Sequence, residues 1–164
     1  MSVFTTPLQV RHHDDNTWTL VAPFSYDVGR EGSGETISVP AGFRTDFASV
    51  PRALWWLYNP TGRWGKAAVI HDWLYHNAGL PIVVGRNVYR QPRSVIYTRR
   101  EADRIFLEGM RVLRVRWTAR RTMYTAVRLG GRWPWEWHFA RNTVARKVVE
   151  RRGPSRLGGA RETN

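Results

Sequence analysis

The hydrophobic spacing of this chain changes character along its length. Up to about residue 50 it is the spacing of strands, and from Lys66 onward it is the spacing of helices. That order predicts an α+β fold: a small N-terminal antiparallel sheet followed by a helical body. The segment "TWTLVAPFSYDV", Thr17 to Val28, is long, aromatic and β-branched, and "TISVPAGFRTD" resumes a strand after the flexible turn "GREGSGE", which together predict a hairpin. In "ASVPRALWWLY" Ser49 is placed to cap a short helix with Pro51 in its first turn, ended by "NPTG".

Ala67, Ile70, Leu74 and Ala78 recur at three and four, so Lys66 to Asn77 reads as a helix closed by Gly79. "PIVVGRNVYRQPRSVIYT" reads as an inserted hairpin turning at "GRN", with Pro92 limiting its second strand to an edge. Thr98 and Glu101 have the spacing of a capping box, and the helix they open carries Ala102, Ile105, Phe106, Gly109 and Leu113. A third helix is expected over Arg116 to Leu129, stopped by Gly130 and Gly131, and a fourth over "RWPWEWHFARNTVARKVVERR", opened by Pro134. Residues 1–152 form one α+β domain on this reading, and residues 153–164 a basic, Gly-rich flexible tail.

No run approaches eighteen consecutive apolar residues, and "MSVFTTPLQV" lacks the order of a signal peptide, so neither a membrane span nor export is expected. Cysteine is absent, which excludes disulfides, thiolate metal sites and cysteine nucleophiles. The net charge is +13, and it is uneven: residues 1–98 carry +2 and residues 99–164 carry +11. Clustered Arg forms bidentate contacts with phosphate, so the C-terminal region is where nucleic acid or anionic lipid would be met, unless it is simply a solvated helical surface.

Within the first helix, His71 and Asp72 stand side by side in an otherwise apolar run, "KAAVIHDWLYHNAG". Consecutive helical residues point about 100° apart, so the two must face different partners. Asp103, in "TRREADRIFLEGM", borders the apolar face of the second helix. If the two helices pack antiparallel, Asp103 can orient His71 and fix its tautomer, while Asp72 is left to bind a hard cation such as Ca²⁺. A histidine base, an orienting aspartate and a metal-held electrophile are the parts of a metal-assisted hydrolase. The same residues also suit a polar network that only fixes helix pairing.

"HDWLY" at 71–75 followed by "EADRIFLEGM" resembles the two-helix core of the phospholipases A2. That resemblance implies His71 as general base, Asp72 as calcium ligand, Tyr75 as the supporting tyrosine and Asp103 as the orienting aspartate. The Gly-rich calcium loop and framing disulfides of those enzymes have no counterpart here. Over most of the chain, "VPAGFRTDFASVPRALW", "PTGRWGKAAVIHDWLY", "RREADRIFLEGM" and "YTAVRLGG" are similar to a family of small uncharacterised bacteriophage and prophage proteins. This second resemblance implies a phage origin.

Asp46 and Ser49 fall at a strand-to-helix junction, where Asp46 could be a further cation ligand or a turn residue bonding its own backbone. No nucleophile-elbow glycines flank Ser49. "RHHDD" at 11–15 reads as an exposed turn rather than a metal site, because adjacent side chains there alternate faces. Trp133, Trp135 and Trp137, with Arg141 one turn on, cannot all face one way on a helix, so at least one is expected to meet a partner, a lipid headgroup or a neighbouring subunit, unless together they form a wide aromatic core stripe.

Two functions follow as expectations. One is a virion-associated protein of the tail, baseplate or neck, in the host cytoplasm during assembly, contacting other phage structural proteins or further copies of itself. The alternative to it is a metal-assisted hydrolase, phospholipase A2-like or acting on the cell envelope, whose cofactor, if it has one, would be Ca²⁺. A DNA-contacting basic protein is a third, weaker expectation.

Overall fold

The computed structural model describes residues 3–15, 17–45, 64–85 and 93–152, the side chains of Val3 and of 148–152 excepted. The helix expected at Ser49, Asp46 itself, most of the "GRN" turn and the tail lie outside these residues.

Among the described residues there are two antiparallel sheets and four helices, the α+β class the chain's spacing predicts. The run from Thr17 to Val28 is two strands, β3 (Trp18–Leu20) and β4 (Phe24–Asp27), because Pro23 lacks an N–H and fixes its own φ, so the strand bends there. The opposing run bends at the same level: β5 (Thr36–Val39) and β6 (Arg44–Thr45) are separated by Pro40 and by Gly42, whose φ is +83°. One long hairpin is thereby shared between two sheets. Its β4–β5 half, with Phe24 opposite Val39 and Tyr26 opposite Ile37, lies in a five-stranded sheet, and its β3–β6 half, with Trp18 opposite Thr45, lies in a three-stranded one.

Strand β1 (Val3–Phe4) flanks β4, and β2 (Val10–His12) flanks β3. The inserted hairpin, β7 (Ile82–Val84) and β8 (Arg93–Val95), extends the larger sheet through β5, giving the order β1-β4-β5-β7-β8.

Helix α1 (Gly65–His76) is central: Gly65, Ala67 to His71, Leu74 and Tyr75 are all buried, so apolar side chains surround it as they would any core helix. It packs against β5 and against α2 (Arg99–Val112), α2 being amphipathic with Ala102, Ile105, Phe106 and Met110 inward. Thr98 and Glu101 do form the capping box. A Cβ on Gly109 would lie 2.9 Å from that of Ala67, so glycine lets the two helices approach closely. Ala67 beside Gly109 and His71 beside Asp103 make the pair antiparallel.

Helix α3 (Trp117–Gly130) contributes Ala119, Met123 and Val127 to the core. A single residue, Gly131, separates it from α4 (Arg132–Arg152). Helix α4 returns across α1, where the buried Asn142 amide donates to the His76 and Ala78 carbonyls at 2.9 and 3.0 Å. These are carbonyls at the end of a helix, which have no partner inside it.

Candidate functional site

Asp103 is 0% exposed and His71 is 1% exposed, which makes each costly to bury unless satisfied. The antiparallel α1–α2 contact satisfies both: His71 Nε2 lies 3.0 Å from Asp103 Oδ1. Tyr75, one turn after His71, donates its hydroxyl to the same oxygen at 2.7 Å. Asp103 Oδ2 accepts from Arg128 of α3 at 2.7 Å, with the Arg99 guanidinium 3.7 Å away. A buried carboxylate thus gathers donors from α1 and α3 together with the charge of its own helix neighbour.

Burial by itself would push the Asp103 carboxyl up, but the hydrogen bonds from His71, Arg128 and Tyr75 overcome it and hold the group below its ordinary value. Desolvation pushes the His71 imidazole down, against the partial opposition of Asp103, so the ring is neutral at pH 7. Desolvation and the Asp103 charge together push the Tyr75 phenol up, keeping it a donor.

A neutral imidazole beside an anionic acceptor carries its proton on the nitrogen that faces it. His71 is therefore protonated at Nε2 and holds a lone pair at Nδ1. That Nδ1 is buried and makes no hydrogen bond among the described residues. Its separation from Asp72 Oδ1 is 4.0 Å, too long for a bond, as the angle between consecutive helical residues requires. Asp72 instead accepts from the Thr45 hydroxyl at the end of β6.

His71, Asp72, Tyr75 and Thr45 share the wall of a cavity of about 510 Å³. Its other walls are Phe43 and Arg44 of the small sheet, Ala126 and Val127 of α3, the Gly130–Gly131 joint, and Pro134 and His138 of α4. Burial, then the charges of Arg141 and His76, push His138 down to about 4. Arg44 forms an ion pair with Asp15, so the acidic end of "RHHDD" is a strap on the small sheet.

Among the described residues no three His, Asp, Glu or Cys side chains converge as a metal would need. Asp72 is the one carboxylate on the cavity wall among them, and Ca²⁺ takes six to eight oxygens. Asp46, the second expected ligand, lies outside the described residues.

The antiparallel packing of α1 and α2 thus brings Asp103 to His71, and Tyr75 joins them as the resemblance to phospholipases A2 implies, with Asp72 on the same cavity. The aromatic group divides: Trp135 turns inward, edge-on to Tyr75 with ring centroids 5.0 Å apart, while Trp133 and Trp137 are exposed. Arg128, Thr45, Gly131 and His138 were not foreseen. Arg99 carried a signal, its i, i+4 spacing to Asp103. Arg128 carried none, being twenty-five positions from the carboxylate on a separate helix.

Gly131 has a steric role. Any Cβ there would run into the Tyr75 hydroxyl and the Val127 carbonyl, so the α3–α4 joint closes directly on the network.

Residues 18–127 match a family described as "Protein of unknown function (DUF1353)", and the chain belongs to that family. No curated protein and no solved structure matches the chain.

Proposed function

We propose that this DUF1353 protein is a hydrolase in which His71 is the general base and Asp103 its orienting partner. The observation that supports this is the orphaned Nδ1, a buried ring nitrogen with a lone pair and no partner among the described residues, on a histidine that lines a 510 Å³ cavity. A buried polar atom left unsatisfied costs free energy, and sites of chemistry are where such a cost is retained.

In the proposed step a water held at Nδ1 gives up a proton as its oxygen bonds to an acyl carbon. The imidazolium that forms is stabilised by Asp103, whose charge Arg128, Tyr75 and Arg99 keep in place. The bond to the leaving group then breaks, and that group takes the proton from Nδ1. Phe43, Val127 and Pro134 on the cavity wall suit an apolar acyl portion. Esters are therefore the first class to test, in keeping with the resemblance to phospholipases A2. Asp72 is the residue on this wall that would hold a cation, and no step is routed through one.

The test is hydrolysis of a panel of acyl esters, with and without Ca²⁺, by the native chain and by His71→Gln and Asp103→Asn. Loss of activity in a folded His71→Gln is expected, and activity retained there would overturn the reading.

A second reading has a specific observation behind it: His71 is only 1% exposed. On this reading the network locks α1, α2 and α3 together, and the protein is a virion component of the tail, baseplate or neck, as the resemblance to phage proteins implies. Mass spectrometry of purified particles tests it directly. Presence in stoichiometric amount is expected, and absence from particles would remove it.

A further inference from the structure

The apolar residues of α4 lie on two opposite sides of the helix. One side, with Trp135 and Asn142, faces the core. The other carries Trp133, Trp137, Ala140 and Val144, spaced four, three and four apart, a single stripe along the helix. Trp133 is 76% exposed, Trp137 54% and Val144 63%. Two neighbouring tryptophans left in water on a regular helix are a surface waiting for a less polar phase.

The rim of the stripe is basic. Arg141 sits over the Trp137 ring at 5.0 Å, and Lys147 is exposed on the other flank. Glu136, the acidic side chain on that flank among the described residues, is bonded to Arg132 at 2.7 Å.

We propose that this face of α4 docks on an anionic lipid bilayer, lying flat with the tryptophans at the headgroup boundary and the basic rim against lipid phosphates. Trp is suited to that boundary because its ring is apolar while its N–H stays wet, and basic side chains beside it add attraction to anionic headgroups. Charge decides against a second copy as the occupant, because pairing this face with itself would set basic rims against each other. The order of residues counts against nucleic acid: among the described side chains Trp133, Ala140 and Val144 occupy the centre of the face and the cations its edges, whereas a phosphate-tracking helix places its cations centrally. The inference stands apart from the chemistry at His71, which lies on the core side of the molecule.

The experiment is co-sedimentation of the full chain with phosphatidylcholine vesicles containing phosphatidylglycerol, against vesicles of phosphatidylcholine alone. Binding to the anionic vesicles should be at least about tenfold tighter and should weaken with added salt. Trp133→Ser with Trp137→Ser should lose that binding while melting like the native chain, as should the charge reversal Arg141→Glu with Lys147→Glu. His71→Gln should bind as the native chain does. Equal pelleting of native chain and both double variants would overturn the proposal. So would an absence of binding to the anionic vesicles, whether or not a dimer that the tryptophan variant dissolves, or duplex DNA binding, is found in its place.

Discussion

The Nε2 atom of His71 lies 3.0 Å from Oδ1 of Asp103, a residue thirty-two positions further along and on a different helix. Because Asp103 also accepts from Tyr75 and Arg128, this one contact fixes the tautomer of a buried histidine and ties three helices to a single carboxylate.

Removing that carboxylate leaves a buried imidazole, the Tyr75 hydroxyl and the Arg128 guanidinium without the acceptor they share. Asp103→Ala is expected to destabilise the fold by about 3–5 kcal/mol, the usual range for breaking one side of a buried pair. Urea unfolding measures it. Combined with His71→Gln, it should cost at least about 1 kcal/mol less than the sum of the single losses, because the two residues share one network.

At the α3–α4 joint, Gly131→Ala should destabilise by about 1–3 kcal/mol, the range for overpacking. The added methyl meets the Tyr75 hydroxyl. Tyr75→Phe deletes that oxygen, so the double variant should recover part of the loss; full additivity in thermal melts would show that the contact with Tyr75 does not matter.

Asn142→Ala leaves the His76 and Ala78 carbonyls without their donor where α4 crosses the end of α1. The expected loss is about 1–3 kcal/mol. Hydrogen exchange should quicken in the last turn of α1 more than in α2.

Stability should fall on acidification in two stages. His71, His76 and His138 all have folded-state values depressed by burial, His138 to about 4. The unfolded chain therefore binds protons that the folded chain does not once the pH drops below about 6.5. The buried His71 removes stability by at most about 1.4 kcal/mol per pH unit until the pH falls below its folded value, and the exposed His76 and part-buried His138 remove less, because solvent screens them. Asp103 and Glu101 are depressed carboxyls, so their contribution is present above the ordinary carboxylate range and is lost as pH falls through their folded values. Melting temperatures between pH 8 and pH 4 should decline from about 6.5 downward. His138→Gln should flatten the decline, and a constant melting temperature across that range would contradict the burial of His71.

Much of this was legible along the chain because local chemistry carries it. The capping box at Thr98 and Glu101 needs only three residues of spacing, and Gly79 takes the left-handed turn, with φ at +76°, that ends α1. The apolar intervals around His71 and Asp103 place each on a core-facing side of its helix. Less legible was the bend that divides one hairpin between two sheets. Pro23 and Pro40 mark the break in the sequence, but which sheet each half joins depends on β1, β2 and β7, strands remote from the turn.

By its own spacing, then, the sequence determined the α+β class, the helix limits near their caps and glycines, and the inward placement of His71, Tyr75 and Asp103. Those properties depend on residues within a turn or two of one another. Only the tertiary structure decided that Arg128 completes the carboxylate's partners, that Gly131 presses on Tyr75, and that Trp135 turns inward while Trp133 and Trp137 do not. These follow from how separate helices pack, and contacts between distant segments leave no periodic trace in the chain that makes them.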